Sequence, residues 1–291
     1  DAQLAERAAS GRSLTRPELA VLLAYAKNTV FADLMRSDVT DDDYLSRELY
    51  RYFPAKLIEN FREAVAGHRL RREVIATVLS NAMINRGGPA FVNEITTATS
   101  ADAGQVAAAY AAARDSFGLQ DFNAAIDALD ARIPGNLQVK LYMEVEALLT
   151  RETLWFLRNE SIDSGLQKLI DRYADGIAEI RALLPGLVTP YLAESIETRA
   201  HAFELAGAPR EIARAIAELS PLSLASDIVL VAERTETTVI ETATAFFGVL
   251  DIFKLGRIIE AGHSIILADR FDRMALDRAL ANLMRAQRDV T

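Results

Sequence analysis

The sequence predicts an all-α fold: a multi-helix array of roughly a dozen helices with no substantial sheet. Three observations carry that expectation. Apolar residues recur at three- and four-residue spacing along nearly the whole chain. Alternation with period two is sustained nowhere, so a strand would find no partner. Proline, glycine and short polar residues stand where such helices would start and stop.

The elements follow in order. Thr15-Arg16-Pro17-Glu18 reads as a capping box, with the Thr15 hydroxyl accepting from the Glu18 N–H and the Glu18 carboxylate reaching back. The helix it opens places Leu19, Leu22, Leu23, Ala26 and Val30 in one stripe. Val21 and Met35 lie on the far side, with Tyr25 and Phe31 between. A helix apolar all round is expected to be buried on more than one side, so this one reads as central. Thr40 with Asp41, Asp42 and Asp43 reads as the acidic start of the next helix. Pro54 ends that helix or opens another, which runs to Gly67; residues 70–85 form the next. The break Asn85-Arg86-Gly87-Gly88-Pro89 stops it, and Pro89 can begin a short helix. Ser100 is placed to cap residues 101–117, and 119–131 follow Gly118. Pro134-Gly135 precedes a long helix to Asn159, and Ser161 starts a stretch ending at Leu184-Pro185-Gly186. Thr189-Pro190 is a cap with proline at the first helical position, leading to Gly207. Residues 209–219, 227–234, 238–255 and 269–289 complete the series.

One passage is ambiguous. Residues 227–231 and 237–240 are rich in β-branched side chains and suit strands. Ile240, Ala243, Phe247 and Leu250 nevertheless keep helical spacing, and helix is the reading. No repeat of fixed period is present. Length suggests two units, at roughly 150 residues per domain. We place a soft boundary near Asn159–Ser161. It gives a helical subdomain of residues 1–160 around the central helix and a second of residues 161–291, which together may be counted as one domain.

Composition excludes several classes. An apolar share of 51% is too high for disorder. The chain has no cysteine, hence no disulfide framework, thiolate nucleophile or Cys-ligated metal. A net charge of −9 opposes broad binding to nucleic acid or anionic membranes. Charge-free runs such as residues 74–85 fall short of the roughly 18 residues of a membrane span. No basic segment followed by an apolar stretch marks secretion, so a cytoplasmic location is expected. A first residue other than methionine suggests a piece of a longer polypeptide, or a processed one.

Candidate chemistry is sparse. No Gly-x-Gly-x-x-Gly, P-loop, nucleophile elbow or His-Glu-x-x-His occurs. Gly87-Gly88 follows a helix rather than a strand and reads as a helix C-cap, not a phosphate cradle. Glu194, Glu197, His201 and Glu204 share a sector of roughly 80° on one helix, as a di-iron bundle would require. Leu192, Ile196 and Phe203 hold a separate face and no second Glu-x-x-His is present, so a solvated stripe is the favoured reading. His68 and His263 lack a neighbouring nucleophile or second ligand and read as structural or exposed. Asp38 and Asp41 to Asp43 lack the glycine and terminal glutamate of a calcium loop. Arg69, Arg71 and Arg72 are too short a cluster, without interleaved aromatics, to bind nucleic acid. Trp155, the only tryptophan, extends the stripe Leu137, Leu141, Leu148, with Arg151 and Arg158 one turn to either side. It suits either core or a domain contact.

Three strings then matter together: Leu14-Thr-Arg-Pro-Glu-Leu-Ala-Val-Leu-Leu-Ala-Tyr-Ala-Lys27, Asn85-Arg-Gly-Gly-Pro-Ala-Phe-Val92 and Arg151-Glu-Thr-Leu-Trp-Phe-Leu-Arg-Asn159. In order and separation they resemble the C-terminal region of the large bacterial NAD-specific glutamate dehydrogenases. Gly207-Ala208-Pro209 and the segment 269–275 resemble the end of that region, although the family tends to carry tryptophan near Phe271. The resemblance implies a parent enzyme that deaminates L-glutamate oxidatively to 2-oxoglutarate and ammonia, with NAD as hydride acceptor. It places the nicotinamide site and the catalytic lysine and aspartate in a domain upstream. No catalytic, cofactor-binding or metal residue is therefore carried onto this segment. The expected role is to support or regulate the catalytic domain of the same polypeptide, with self-association left open and no nucleic acid or membrane partner. Arg86, Gly87, Gly88, Pro89, Arg151, Trp155 and Arg158 are the candidate domain-contact residues. A free-standing helical adaptor is the alternative, and a carboxylate-bridged metal enzyme around His201 a third reading.

Overall fold

The computed structural model describes residues 2–162, 165–267 and 269–291. In chain order its helices begin with α1 (Ala2–Ala9), α2 (Arg16–Arg36), α3 (Ser46–Tyr52), α4 (Ala55–Ala66) and α5 (Arg71–Gly87). Next come α6 (Phe91–Thr99), α7 (Ala103–Ser116), α8 (Leu119–Asp127), α9 (Gly135–Asn159) and α10 (Leu166–Leu187). Then follow α11 (Pro190–Leu205), α12 (Arg210–Ala217), α13 (Leu219–Leu222) and α14 (Ala225–Thr235). The last are α15 (Val239–Ile252), α16 (Leu255–Ser264) and α17 (Arg270–Val290). No strand occurs among the described residues, and the ambiguous passage is two helices, Ala225–Thr235 and Val239–Ile252, with a short turn between them.

Two compact units are formed. One comprises Asp1–Arg114 with Leu149–Ile170, the other Asp115–Leu148 with Asp171–Thr291. The chain crosses from one set to the other inside α7, α9 and α10, so no linker marks the division. The boundary expected near residue 160 falls within the second stretch of the first unit.

In the first unit α5 holds the centre. It buries Ile75, Ala76, Leu79, Met83 and Ile84 and packs against α2, α3 and α6. Residues 106–114 of α7 are also buried without a break, which its small alanines permit. The expectation that α2 is central needs correction. Only Val30 and Leu34 are fully buried in it, while Leu19, Val21 and Tyr25 are 42%, 40% and 54% exposed. An apolar pattern all round records a helix that needs cover on several sides; the unit supplies part of that cover.

Charge within this unit is structural. Arg114 (4% exposed) donates to Glu48 (1% exposed) at 2.6 Å, tying α7 to α3, and Arg51 donates to the same carboxylate oxygen at 2.8 Å. The basic residues ahead of α5 pin the turn after α2. Arg72 donates to the Ser37 carbonyl (3.0 Å) and the Thr40 hydroxyl (3.0 Å), Arg71 to the Ser46 hydroxyl (2.5 Å). That turn corrects a second expectation: residues 38–41 form a 3₁₀ turn, Asp41 pairs with Arg72 at 3.3 Å, and the next α-helix begins only at Ser46.

In the second unit residues 221–232 are buried without interruption, and α14 packs against α15 and α17. Arg288 of α17 pairs with Asp227 at 2.9 Å, and the Gln287 side chain donates to the Phe246 carbonyl at 3.1 Å. A Cβ built at Gly176 of α10 would lie 2.7 Å from a Val229 methyl, so α10 and α14 touch where only glycine fits. No single helix among the described residues is long and apolar enough to cross a membrane. The bent pair Arg210–Leu222 and Ala225–Thr235 meets that condition by length and composition, and its residues 221–232 are buried in the fold.

Most helix starts are where the sequence places them. Thr238 and Glu241 form the full reciprocal box: the Glu241 N–H donates to the Thr238 hydroxyl (3.2 Å), and the carboxylate accepts from the Thr238 N–H (3.2 Å). At Thr15 the reach-back half is present, since Glu18 accepts from the Thr15 N–H at 2.8 Å, and the Thr15 hydroxyl also donates to that carboxylate at 2.6 Å. Ser100 does not cap α7. It takes a left-handed conformation (φ 63°) closing α6, and Asp102 caps instead, accepting from the Gln105 N–H at 2.8 Å. A side chain must sit directly ahead of the first turn to reach its free N–H groups, and Ser100 is two residues too early.

Candidate contact surface

Within the first unit a groove of about 690 Å³ runs between α2 and α6. Leu22, Tyr25, Ala26 and Val30 supply one wall, Pro89, Val92 and Asn93 the other. Successive α2 residues turn by about 100°, which puts positions 22, 26, 29 and 33 on one side, and Leu19 falls on the same side. The groove closes at Ser37 and the start of α7. Gly104 makes that closure possible, because a Cβ there would lie 2.8 Å from the Ser37 Cβ. On its rim Arg36 donates to Asp33 at 2.8 Å, and Asp102 accepts from the Gln105 N–H at 2.8 Å.

The glycine–proline break stands at the other wall. A Cβ on Gly87 would meet the Phe91 ring at 2.4 Å, so glycine there lets the end of α5 lie against the first residue of α6. Gly88 takes φ 88°, the left-handed region that favours glycine, and Pro89 is exposed and lines the groove. Arg86 is half-buried at the end of α5. Residues from two of the sequence strings, 14–27 and 85–92, therefore face one another across a single groove.

The third string does not line it. Trp155 is half-buried on α9, its ring edge-on to buried Phe156 with centroids 5.3 Å apart, and Arg151 and Arg158 are exposed. Tyr25 and Asn93 are groove residues that sequence reasoning did not single out. The signal for Tyr25 was its place between the apolar stripe and the far side of α2, part of an all-round apolarity read as a demand for burial; Asn93, polar and exposed, gave none.

The other candidates resolve as structure or surface. Glu194, Glu197 and His201 are exposed on α11 and Glu204 is half-buried. Glu197 pairs with Arg214 at 3.2 Å, and no group of three such side chains among the described residues is set to hold a metal ion. His68 accepts from the Leu70 N–H through Nδ1 at 3.2 Å and packs against Phe53, shaping the turn between α4 and α5. The His263 side chain lies outside the described residues. A cavity of about 270 Å³ beside the start of α11 contains Tyr191, Asp251, Lys254 and Arg257. Lys254 pairs with Asp251 at 3.2 Å, Arg257 covers the Tyr191 ring, and the Tyr191 hydroxyl donates to Glu260. That carboxylate holds the phenol above its ordinary pKa, so the tyrosine is a fixed donor.

Fold and surface together define an all-α protein in which ion pairs such as Arg114–Glu48 and Arg288–Asp227 tie helices to one another. Comparison with known proteins gives the family: residues 11–291 match glutamate dehydrogenase, C-terminal, and the chain belongs to it. It is 32% identical over 291 residues to the NAD-specific glutamate dehydrogenase of Pseudomonas aeruginosa and 31% over 291 residues to that of Halomonas elongata. All of this chain is covered in both, against 18% of each relative's length. The NAD-specific glutamate dehydrogenase of Mycobacterium tuberculosis is 26% identical over 277 residues, 94% of this chain and 17% of its own.

Proposed function

We propose that this chain is the non-catalytic C-terminal region of a large, cytoplasmic NAD-specific glutamate dehydrogenase and that it supports or regulates the catalytic domain upstream. The parent reaction converts L-glutamate, NAD and water to 2-oxoglutarate, ammonia and NADH. The observation that carries the reading is the match of residues 11–291 to the glutamate dehydrogenase C-terminal family, with the whole chain aligning to 18% of the length of relatives named NAD-specific glutamate dehydrogenase.

The local chemistry supports a division of labour. Dinucleotide sites set the pyrophosphate against a glycine turn between strand and helix. Among the described residues there is no strand, and the Gly87–Gly88 turn is shaped by contact with Phe91. The residues present do not fit NAD, and no step of the reaction is routed through them. The region's contacts with the catalytic domain are assigned to the Gly87–Pro89 break with Arg86, and to Trp155 with Arg151 and Arg158.

Titration calorimetry on the parent polypeptide, on the polypeptide cut before this region, and on the region alone tests the reading, with circular dichroism confirming that each is folded. NAD should bind the first two. Saturable micromolar binding by the region alone refutes the assignment of cofactor chemistry elsewhere.

A further inference from the structure

We propose that the groove between α2 and α6 seats an amphipathic helix from the part of the same polypeptide that precedes this region. The proposal rests on the reading of the chain as the C-terminal region of a longer enzyme, and it identifies which surface that enzyme covers.

The argument starts from α2. The residues of α2 that line the groove run from Leu22 to Arg36, about 21 Å at 1.5 Å per residue, or roughly four helical turns. An elongated apolar strip suits a helix laying down residues at i, i+3, i+4 and i+7 better than it suits a compact metabolite. Tyr25, 54% exposed, and Leu19, 42% exposed, leave large apolar surface beside a groove already floored by Ala26 and Val92. Of the charged residues lining it, Asp33 and Arg36 pair with each other and Asp102 accepts the Gln105 N–H, so the groove presents no cluster of one sign to select a charged ligand.

What favours the chain's own upstream segment is its tether. This chain spans 18% of the relatives' length, so more than four-fifths of such a polypeptide lies outside it, and the family description sets that remainder ahead of it. A covalently attached segment faces the groove at an effective concentration on the order of millimolar, an advantage that a second copy lacks.

The test uses the full-length parent enzyme with p-benzoyl-phenylalanine in place of Tyr25 on one wall or, in a second variant, in place of Asn93 on the other. Both positions are exposed, so the fold tolerates the label. After irradiation of a sample mixed from isotopically light and heavy enzyme, mass spectrometry identifies the captured peptide. Both variants should capture one and the same upstream peptide from their own polypeptide. Adding Thr29→Asp, an exposed change facing the groove, should lower both yields at least tenfold. Capture of light peptides by heavy chains, of different peptides from the two walls, of none, or a yield indifferent to Thr29→Asp overturns the proposal. Glutamate oxidation assayed on the same preparation keeps the two readings apart: an inactive parent refutes the dehydrogenase reading, while the captured peptide still decides the groove.

Discussion

Removing Arg114 exposes how the first unit is held together. Its guanidinium sits 2.6 Å from the Glu48 carboxylate, and both residues are almost wholly buried, at 4% and 1% exposure. Arg114→Met keeps the length and apolar stem of the side chain but leaves Glu48 facing α7 without its partner. Breaking a buried pair from one side costs about 3–5 kcal/mol, because the remaining charge stays desolvated. Arg51 still donates to the same oxygen at 2.8 Å, which places the expected loss at the lower end, about 3 kcal/mol. Glu48→Met/Arg114→Met removes both charges, and its cost should fall to within about 1 kcal/mol of wild type, since a well-packed apolar replacement is often neutral. Urea unfolding followed by fluorescence suits the measurement, because the only tryptophan, Trp155, lies in this unit. Far-UV circular dichroism follows both units, and coincidence of the two probes shows whether they unfold together. A loss below about 1 kcal/mol for the single variant, the scale of a surface pair, refutes the reasoning. So does a double variant less stable than the single one.

Three further outcomes are expected. Gly176→Ala forces a Cβ to within 2.7 Å of the stiff, buried Val229 and should destabilise by about 1–3 kcal/mol in urea melts; a gain, as helix propensity alone predicts, shows that Val229 gives way. Glu18, held to a pKa of about 2 first by the Thr15 hydroxyl, then by the Thr15 N–H and Arg7, lies below the ordinary 4.5, so its contribution to the start of α2 is complete above that value and lost as pH falls towards 2. Carboxyl-carbon NMR titration checks it, and a midpoint near 4 contradicts the cap geometry. His201→Gln should leave stability within about 0.5 kcal/mol, and a chelator should leave the melting curve in place; a chelator-sensitive curve means the acidic stripe of α11 holds a ligand.

Legibility in the sequence followed the range of the interactions involved. Caps act over three residues: the one at Thr189 was read from the sequence, and the helices expected to begin at 238 and 269 do open on caps at Thr238 and Asp269. The start of α16 was not legible: Lys254 adopts φ 53° without the glycine that would have announced the turn. The first helix, α1, carried no cap signal and went unread. In α14 every residue from 225 to 232 is buried, so no polar face was left to give the segment a period, and its β-branched side chains suggested strand. The units were hidden for a related reason. Their boundaries lie inside continuous helices, whereas composition reveals only linkers.

The candidate surface shows where such reading stops. Both α2 and α7 are rich in apolar residues, and the sequence reading assigns α2 to the interior and makes no such statement of α7. Burial separates them: α7, built mainly of alanine, is enclosed from residue 106 to 114, while α2 keeps Leu19, Val21 and Tyr25 open. The difference lies in the neighbours rather than in either helix. Hydrophobic spacing encodes that a face is to be removed from water, and it is silent about which segment does so. Where that segment belongs to this chain, the structure completes the statement, as it does for α7. For α2 the structure supplies Val92, Pro89 and the α7 start as one side of a groove and ends there. The expectation of a central α2 therefore fails for this chain, and the proposal that an upstream segment covers its exposed face stands or falls with the cross-linking experiment.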